Sequence, residues 1–308
     1  MKRILYLLLL SCLFIGVIAT ESCQSSKNST ASKMLKFNFE KGKGYDYEMT
    51  MNMDQDIMGQ KMKMDMSTYY SMEVVDEDGD IKTVTSTYDR FKMNMGVAGM
   101  NIEVDSDKPL PNLGTDENGN DPMKMLNGLL GAIKGRQFTM KVNAEGKVLE
   151  VTGFQDMAKS IVDSLGFEGA KGQQMIEQFN QQFNEESIKD QFERVLYIFP
   201  NKEIKVGNSW EKKSSSLGIA KGDYNSVYTV TDIEGDMVTL DEVSTIKANE
   251  EGAKMNGKIL SKLIVDSKTG LVVSADMDMT ITTQAEGQSF DIKAKTKRIK
   301  TNAVIIPP

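Results

Sequence analysis

Apolar and polar residues alternate along most of the chain, and the alternation is interrupted in its middle. Aromatic residues and methionines occupy every second position over long runs within residues 35–95, and a similar alternation returns after Trp210. Strict alternation is typical of half-buried antiparallel strands, because successive side chains of a strand point to opposite faces. We therefore expect one β block over residues 34–152 and a second over residues 201–308.

Turn residues divide the first block into strands. A Met-Gly-Gln sequence at residues 58–60 predicts a turn, followed by a strand over residues 62–66 and another over residues 69–75. The acidic, glycine-containing sequence at residues 76–80 predicts a hairpin turn. An Asp-Pro pair has the residue types preferred at the cap and the first position of a helix, so a short helix is expected over residues 121–134.

Residues 153–200 break the alternation. Their apolar residues recur in three sets at intervals of three and four, with Lys, Gln, Asn and Glu between them, which is the pattern of amphipathic helices. Pro200 would end the last helix, since proline lacks the N–H that a helix needs. We expect this helical segment to cover one face of the sheet. The third set consists of Ile188, Phe192, Val195, Leu196 and Phe199.

Two hairpins of the chain resemble each other. Residues 74–80 and 230–236 end in the same Gly-Asp pair, and a second pair of turns, at residues 142–146 and 265–270, follows in the same order. An internal duplication would explain both pairs, and so would the local reuse of turn residues. The expected fold is α+β and mainly antiparallel β: curved sheet or sheets built from two similar β blocks, with a helical segment covering one face.

The first 22 residues predict a signal peptide for export. Lys2 and Arg3 precede an apolar run that is too short for a membrane-spanning helix. Cys23 follows a serine in a layout that resembles the lipobox of bacterial lipoproteins, which implies that Cys23 carries an acyl anchor such as palmitate. Residues 23–33 are polar and predict a flexible tether. The alternative is a secreted protein with a free cysteine near its start.

The anchor implies an address in the cell envelope, facing the periplasm or the cell surface. By resemblance to lipoprotein sorting rules, Gln24 after Cys23 implies the outer membrane more than the inner one. Thr20 and Glu21 depart from the usual lipobox residues. The net charge of −7 argues against a nucleic-acid partner. The expected partners are the membrane, through the acyl anchor, and a hydrophobic small molecule or an envelope protein.

The chain contains no histidine, which excludes the Ser-His-Asp triad, the common zinc sites and imidazole acid–base catalysis. Two short sequences imitate motifs of penicillin-interacting enzymes: S-x-x-K at residues 209–212 and K-T-G at residues 268–270. The first lies in strand-like sequence and the second in a turn, whereas that family places them on a helix and a strand. The acidic turns lack EF-hand spacing. We expect no enzymatic activity, no cofactor and no metal.

Methionine is frequent, and much of it recurs at every second position. Three interpretations are open: ordinary core, the wall of an apolar cavity, since flexible methionine adapts to varied ligands, or a thioether site for Cu(I) or Ag(I). No histidine or second soft ligand accompanies these residues, which counts against the metal. The predicted apolar ligand face consists of Met49, Met51, Met53, Met62, Met64 and Met66.

The Phe-Pro pair at residues 199–200, followed by Val-Gly-Asn-Ser-Trp at residues 206–210, resembles a stretch in an uncharacterised family of bacterial envelope lipoproteins. So do the Gly-x-x-Tyr sequence at residues 44–47 and the turn at residues 266–270. The resemblance implies a lipidated, exported, β-rich protein and carries no catalytic residue. A more distant architectural likeness is to the lipoprotein carriers of the periplasm, which hold acyl chains between a curved sheet and covering helices.

These expectations describe a non-enzymatic envelope lipoprotein that binds a lipid or another apolar ligand between sheet and helices. The alternative is a scaffolding or interaction lipoprotein with a packed core and no small ligand. The two differ in internal space, because a carrier needs a connected apolar pocket of about 300 Å³ or more, whereas a scaffold would be packed shut.

Overall fold

The computed structural model describes the chain from residue 32 onward, with gaps. The described residues are 32–57, 60–97, 100–108, 134–153, 169, 173, 176–177, 185–216, 221–250, 253–285, 288–297 and 299–305. Several predictions fall outside this part of the chain. They are the signal peptide, Cys23 and nearly all of the tether, the short helix except its last residue, and the helical stripes before residue 185.

Fifteen strands and one helix, α1 (Glu185–Leu196), are described. The strands are β1 (Lys33–Leu35), β2 (Lys43–Ile57), β3 (Gln60–Asp78), β4 (Ile81–Val97), β5 (Met100–Asp105), β6 (Gln137–Val142), β7 (Val148–Thr152), β8 (Lys202–Ile204), β9 (Ser209–Ser216), β10 (Lys221–Glu234), β11 (Met237–Glu250), β12 (Ala253–Asp266), β13 (Leu271–Ala285), β14 (Gln288–Lys297) and β15 (Ile299–Ile305).

Thirteen of the described strands form one antiparallel sheet in the order β7-β6-β4-β3-β2-β14-β13-β12-β11-β10-β9, with β5 paired to β4 and β15 paired to β2. β1 and β8 form a separate antiparallel pair. The prediction of a mainly antiparallel β fold is therefore confirmed. Both β blocks contribute to the same sheet, because β14 pairs with β13 of the second block and with β2 of the first.

The two β blocks follow one plan. Each contributes five neighbouring strands in the same order, β7-β6-β4-β3-β2 in the first and β13-β12-β11-β10-β9 in the second. The matching hairpins both have a register shift just before the turn. Asp76 then lies opposite Thr83 in the first block, as Asp232 lies opposite Thr239 in the second. The likeness of the hairpins thus extends to strand order, which favours duplication over chance reuse of turn residues.

β3 is one continuous strand, so the expected division into strands over residues 62–66 and 69–75 is wrong. The inward positions continue without a break through Thr68 and Tyr70, which are 4% and 6% exposed. Neither residue is a turn former, and the alternation of burial keeps its period of two from Lys63 to Val74. The irregularity lies instead in the partner strand, where β4 has a register shift opposite Tyr69 and Tyr70.

α1 ends at Leu196 and not at Pro200 as the sequence suggested. The amide of Tyr197 makes a helical bond to the carbonyl of Glu193, and the amide of Phe199 bonds instead to the carbonyl of Glu145 in the turn between β6 and β7. Phe199 is buried, but it lies in the loop after the helix. The chain therefore leaves the helix at Ile198, whose amide bonds to the carbonyl of Leu196, and the neighbouring turn then holds Phe199.

Three residues of the predicted stripe are buried in α1, whereas Val195 is half-buried. Ile188, Phe192 and Leu196 are each less than 5% exposed. The ring of Phe192 lies 5.2 Å from that of Phe138 in β6 and 6.1 Å, edge-on, from that of Tyr70 in β3. These contacts tie the helix to strands of the first block. Among the described residues no helix has the length and apolarity needed to span a membrane.

The N-terminal segment (residues 32–40) crosses the ends of several hairpins. The amide of Phe37 donates to the carbonyl of Ala144, and the amide of Asn38 donates to the carbonyl of Thr269, both at 2.8 Å. Its inward side chains are among the most buried of the core. They are Leu35, Phe37 and Phe39. The segment therefore joins a turn of the first block to a turn of the second.

Candidate functional site

The methionines of the first block form two cross-strand rows. In one row Met53 of β2 lies opposite Met64 of β3, which lies opposite Met95 of β4. In the other, Met51, Met66 and Met93 follow the same path. Residues directly opposite each other on neighbouring strands share a face. We call this side of the sheet the apolar face.

Part of the predicted methionine site can be placed within this face. Met64 and Met66 are each 3% exposed, and Met49 is half-buried and packs against the main core. The other three lie in β2 and β3 at positions of the same parity, and their side chains fall outside the described part of the structure. They are Met51, Met53 and Met62.

The apolar face continues into the second block. From Met53 the pairing passes along one row, residue by residue, through Ala294, Met279, Ile259, Ser244 and Ser226. Strands are spaced by about 4.8 Å, so the four steps from Met53 to Ser244 cover about 19 Å. Met279 and Ile259 are 0% and 2% exposed. The row is therefore buried where it crosses β13 and β12, and its residues become polar at β11.

Polar side chains meet around Glu242 where the row ends. One oxygen of the Glu242 carboxylate accepts hydrogen bonds from the hydroxyls of Ser244, at 2.6 Å, and Tyr228, at 3.2 Å. The other oxygen accepts a hydrogen bond from Ser261 at 2.6 Å. Both serines are buried. Three hydroxyl groups from three strands thus compensate one carboxylate on the inner side of the sheet.

These contacts determine the direction of a further hydrogen bond. The hydroxyl oxygens of Ser226 and Ser244 are 2.5 Å apart. A serine hydroxyl has one proton, and the proton of Ser244 goes to Glu242. Ser226 is therefore the donor and Ser244 the acceptor. The chain of hydroxyls points its protons toward Glu242 and leaves lone pairs on the outer oxygens.

α1 places two charged side chains over this cluster. Burial raises the pKa of Glu193, against the attraction of Lys189 and Lys147, and its Oε1 is buried without a hydrogen-bond donor. Burial lowers the pKa of Arg194, while Glu242 and two tyrosines act in the opposite direction. The two residues are neighbours in sequence and lie beside the same polar cluster.

Lys212 of β9 lies at the rim of the site. Its ammonium pairs with Glu145 and sits 4.1 Å from the centre of the Tyr197 ring, a cation–π distance. Burial lowers the pKa of Lys212, and the bond to Glu145 counteracts this. The ion pair links β9 to the turn between β6 and β7, so both β blocks meet at this edge.

The residues around Glu242 enclose a small cleft. Its free volume is about 40 Å³, on a scale where one water needs about 10–15 Å³. The cleft therefore has room for about three waters or one small polar group, and it is too small for an acyl chain. The charged residues of its lining are Glu193, Arg194, Lys212, Lys213 and Glu242.

The motifs that imitate enzymes have structural contacts. Ser209 shares a hydrogen bond with Thr229 on β10, and the hydroxyl of Thr269 donates to Asp266 within its own turn. Carboxylates of the acidic turn pair with lysines of the N-terminal region, Asp76 with Lys41 among them. Within the described ranges no three carboxylates or cysteines are grouped as metal ligands.

Sequence reasoning missed the Glu242 cluster. The sequence signal for this cluster was a change from apolar to polar residues at the inward positions of β11. Val238, Leu240 and Ile246 are buried and apolar, whereas Glu242 and Ser244 occupy the inward positions between them. Two polar residues in succession on the buried side of a strand indicate partners across the sheet. The partners Ser226 and Ser261 lie on separate strands and could not be identified from spacing.

Comparison with sequence families gives one match. The model of a family of unknown function (DUF6263) matches residues 79–272. No curated protein matches the sequence. The matched region includes most of both β blocks and the helix between them.

Comparison with solved structures supports the fold. A structure of lipid–protein interactions in lipovitellin matches with a TM-score of 0.50 and 10% identity, over 88% of this chain and 26% of that chain. This chain thus spans about a quarter of that protein's length, and the likeness concerns the fold alone. OccK5 (OpdH) of Pseudomonas aeruginosa matches with a TM-score of 0.19 and 8% identity, over 87% of this chain and 70% of that chain.

Proposed function

We propose that this chain, which belongs to the family of unknown function DUF6263, is a non-enzymatic cell-envelope lipoprotein that binds a lipid or another apolar ligand. The observation that carries the proposal is the row from Met53 to Ser244 on the apolar face. Four aligned strands place apolar residues over about 14 Å of this row, from Met53 to Ile259, and the row then ends at a polar cleft. An amphiphile has the same division into a long apolar part and a small polar part.

The ligand would lie between the apolar face and the helical segment. Support comes from α1, whose Phe192 ring contacts Phe138 and Tyr70 of the sheet. Methionine suits such a wall, because its flexible thioether adapts to ligands of different shape. The likeness in fold to lipovitellin, a protein described with its lipid interactions, is compatible with this proposal.

The second candidate is a scaffolding lipoprotein without a small ligand. The observation that favours it is tight packing: Met64, Met66 and Met279 are each at most 3% exposed, and the polar cleft has about 40 Å³ of free volume. Side chains in a filled core touch one another and leave no space for an acyl chain. The two candidates differ in whether the protein purified from cells contains a bound lipid.

Lipid extraction from the purified protein distinguishes these candidates. We expect mass spectrometry of the extract to find lipid in a fixed ratio to protein. Ile259→Thr places a hydroxyl on the buried row and should lower that ratio, whereas Val243→Thr, on the 43% exposed Val243 of the other face, should leave it unchanged. Thermal melting of both variants controls for folding. Lipid-free wild-type protein would overturn the proposal in favour of the scaffold.

The proposed membrane localisation is tested separately. Cys23→Ala should move the protein from the membrane pellet to the soluble fraction without lowering its melting temperature, because Cys23 precedes the buried N-terminal segment. By the sorting-rule resemblance, the wild-type protein should fractionate with the outer membrane. A Cys23→Ala protein that still pellets with membranes in high salt would show that the anchor is elsewhere.

A further inference from the structure

The connections between four pairs of strands lie at one end of the sheet, where the chain enters the described fold. They join β3 to β4, β6 to β7, β10 to β11 and β12 to β13. The N-terminal segment contacts all four, because two of its backbone amides donate to carbonyls in the second and fourth connections. Lys36 pairs with Asp80 in the first connection. Lys33 pairs with Asp236 in the third. We call this part of the protein the entry end.

Exposed apolar side chains are concentrated at the entry end. Among the residues that the structure describes, six large apolar side chains have exposed fractions of 39% to 49%, and four of them lie in the N-terminal segment or beside one of these connections. The four are Met34, Val75, Leu149 and Met237. The other two, Val227 and Val243, lie opposite each other on the outer side of the sheet. Single exposed apolar residues are common, whereas several gathered on one part of a surface indicate a contact with a protein or a membrane.

Ion pairs compensate charges of the entry end. Asp236 pairs with both Lys33 and Lys268. Asp76 pairs with Lys41. Paired charges of opposite sign produce a weaker field than isolated ones, and lysine side chains can keep their ammonium groups in water while their carbon chains lie along an apolar surface. The entry end therefore combines exposed apolar side chains with compensated charges, which suits a surface of zwitterionic lipid headgroups.

The length of chain before β1 limits how far this end can be from an anchored membrane. The ten residues from Gln24 to Lys33 follow Cys23, and fully extended they span at most about 36 Å. An acyl anchor on Cys23 therefore keeps the entry end near the bilayer. Two orientations would then bring exposed apolar side chains to the lipid. The protein stands on its entry end, or it lies on the outer side of the sheet, where Val227 and Val243 are exposed.

We infer that the entry end rests on the bilayer, with its four exposed apolar side chains among the lipid headgroups. The inference rests on the proposed function, because the acyl anchor on Cys23 supplies the attachment to the membrane. Standing on this end brings four exposed apolar side chains to the lipid, whereas lying on the outer side brings two. It also separates the ligand from the bilayer. Met53 is ten residues along β2 from Lys43, so the apolar row lies about 33 Å from the entry end.

Fluorescent labels that report contact with lipid test this orientation. The sequence contains two cysteines, Cys12 in the predicted signal peptide and Cys23 at the predicted anchor, so an introduced cysteine is the one free thiol of the lipidated protein. Met34→Cys and Met237→Cys place this thiol at the entry end, and Val243→Cys places it at a similarly exposed position on the outer side. Each purified lipidated protein is labelled with the fluorophore nitrobenzoxadiazole. It is then reconstituted into phosphatidylcholine vesicles with and without nitroxide-labelled headgroups.

Nitroxide headgroups quench a fluorophore that lies among them. We expect the labels at Met34 and Met237 to lose at least about twice as large a fraction of their fluorescence as the label at Val243, because the entry end lies in the headgroup region. Leu149→Cys gives a third position at the entry end and replaces either variant that fails to fold. The melting temperatures of the labelled proteins show whether folding is intact.

The outcomes separate this inference from the proposed function. Stronger quenching at Val243 would show that the protein lies on the outer side of its sheet, and equal quenching at all positions would show that the entry end is not turned toward the lipid. Either result overturns the inference and leaves the acyl anchor standing, provided that the protein floats with the vesicles in a sucrose gradient. A protein that does not float would overturn the inference and the anchor together. Binding of lipid at the apolar row is decided separately, by the lipid extraction.

Discussion

Trp210 in β9 donates its indole N–H to the backbone carbonyl of Ile198, at 2.7 Å, in a buried hydrogen bond. The indole also stacks on the ring of Tyr228 at 5.9 Å. The stretch from the Phe-Pro pair to the tryptophan, which carried the family resemblance, therefore has a structural role. It fixes the loop after α1 to the strand at the edge of the second block, next to the polar cleft.

Trp210→Phe tests the contribution of the hydrogen bond between Trp210 and Ile198 to stability. Phenylalanine keeps most of the apolar contact but has no N–H, so the carbonyl of Ile198 is left buried without its donor. A loss of about 1–3 kcal/mol in the free energy of unfolding is expected, measured by urea denaturation. Val227→Thr, on a 39% exposed residue of β10, should change stability by less than about 0.5 kcal/mol. Equal midpoints for both variants would show that the indole bond contributes nothing.

Alanine substitutions at Gly146 and Gly79 distinguish the cost of backbone strain from the cost of a steric clash. Both have positive φ, +81° and +57°, but a β-carbon on Gly146 would lie 1.6 Å from the carbonyl oxygen of Leu196, and one on Gly79 would meet nothing within 4 Å. Gly79→Ala should therefore cost about 1–2 kcal/mol, the strain of a left-handed residue. Gly146→Ala should cost more than about 4 kcal/mol, because the turn must move away from α1.

Chemical denaturation of the two glycine variants measures this difference. Similar costs would mean that the turn can move without penalty and that the contact between Gly146 and Leu196 is loose. A larger cost at Gly146 would establish that the turn between β6 and β7 positions the end of the helix, and with it Glu193 above the polar cleft.

The hairpins could be predicted from sequence because their information is local. The acidic Gly-Asp turns fix where the strands reverse, and period two fixes which side chains point inward. The order of strands could not be predicted. β14 joins the two blocks by pairing with β2, so that Ala294 lies opposite Met53. Nothing in the local pattern of either strand specifies a partner so distant in the chain.

The ion pairs of Asp236 predict a pH dependence. Lys268 and Lys33 hydrogen-bond to this carboxylate and lower its pKa to about 2, compared with about 3.9 in an unfolded chain. Because the folded pKa is the lower one, the contribution to stability is complete above about pH 4 and is lost as pH falls toward about 2. Lys33 belongs to the N-terminal segment, so this segment should loosen first in acid.

Asp236→Asn and Asp78→Asn form a matched pair for this test. Both substitutions remove one negative charge. The Asp78 side chain is exposed at the end of β3, whereas the Asp236 side chain forms ion pairs with Lys33 and Lys268. Thermal melting between about pH 2 and pH 6 should show a shallower acid loss for Asp236→Asn than for the wild type. Asp78→Asn should keep the wild-type slope. Parallel slopes for all three proteins would contradict the assigned role of Asp236.

The packing of α1 predicts that alanine substitutions on its buried side cost much more stability than those on its other side. Phe192 is 3% exposed and touches two aromatic rings of the sheet, so Phe192→Ala should cost about 3–5 kcal/mol. Lys189, on the half-buried side, should change stability by less than about 0.5 kcal/mol when replaced by Ala. Urea denaturation measures both. Equal small effects would mean that the helix is a mobile arm and not a cover.

The candidate site shows where sequence reasoning stopped. A run of alternating methionines is visible in one strand, so their common face could be predicted from period two alone. The Glu242 cluster needs Ser226, Ser244 and Ser261 on three separate strands. Serine at one inward position is unremarkable by itself. Only the register of neighbouring strands reveals that the three hydroxyl groups converge.

The methionine face distinguishes the remaining interpretations of the apolar row. Changing Met49, Met51, Met62 and Met64 together to Leu preserves volume and apolarity, and such substitutions usually cost less than about 1.5 kcal/mol each. Lipid binding should survive with narrower selectivity, because leucine is stiffer than methionine. Met237→Leu, on a 40% exposed residue, is the control and should change neither property.

Cu(I) titration of the same proteins completes the test. A thioether site would lose the metal outright in the Leu variant, because no carbon atom replaces a sulfur donor. An apolar wall would bind lipid in both proteins, and a filled core would bind neither lipid nor metal. We expect Cu(I) binding to the parent protein to be weaker than about 1 μM, since no cysteine or histidine supports the methionines. Tighter binding that disappears in the Leu variant would replace the lipid proposal with a soft-metal site.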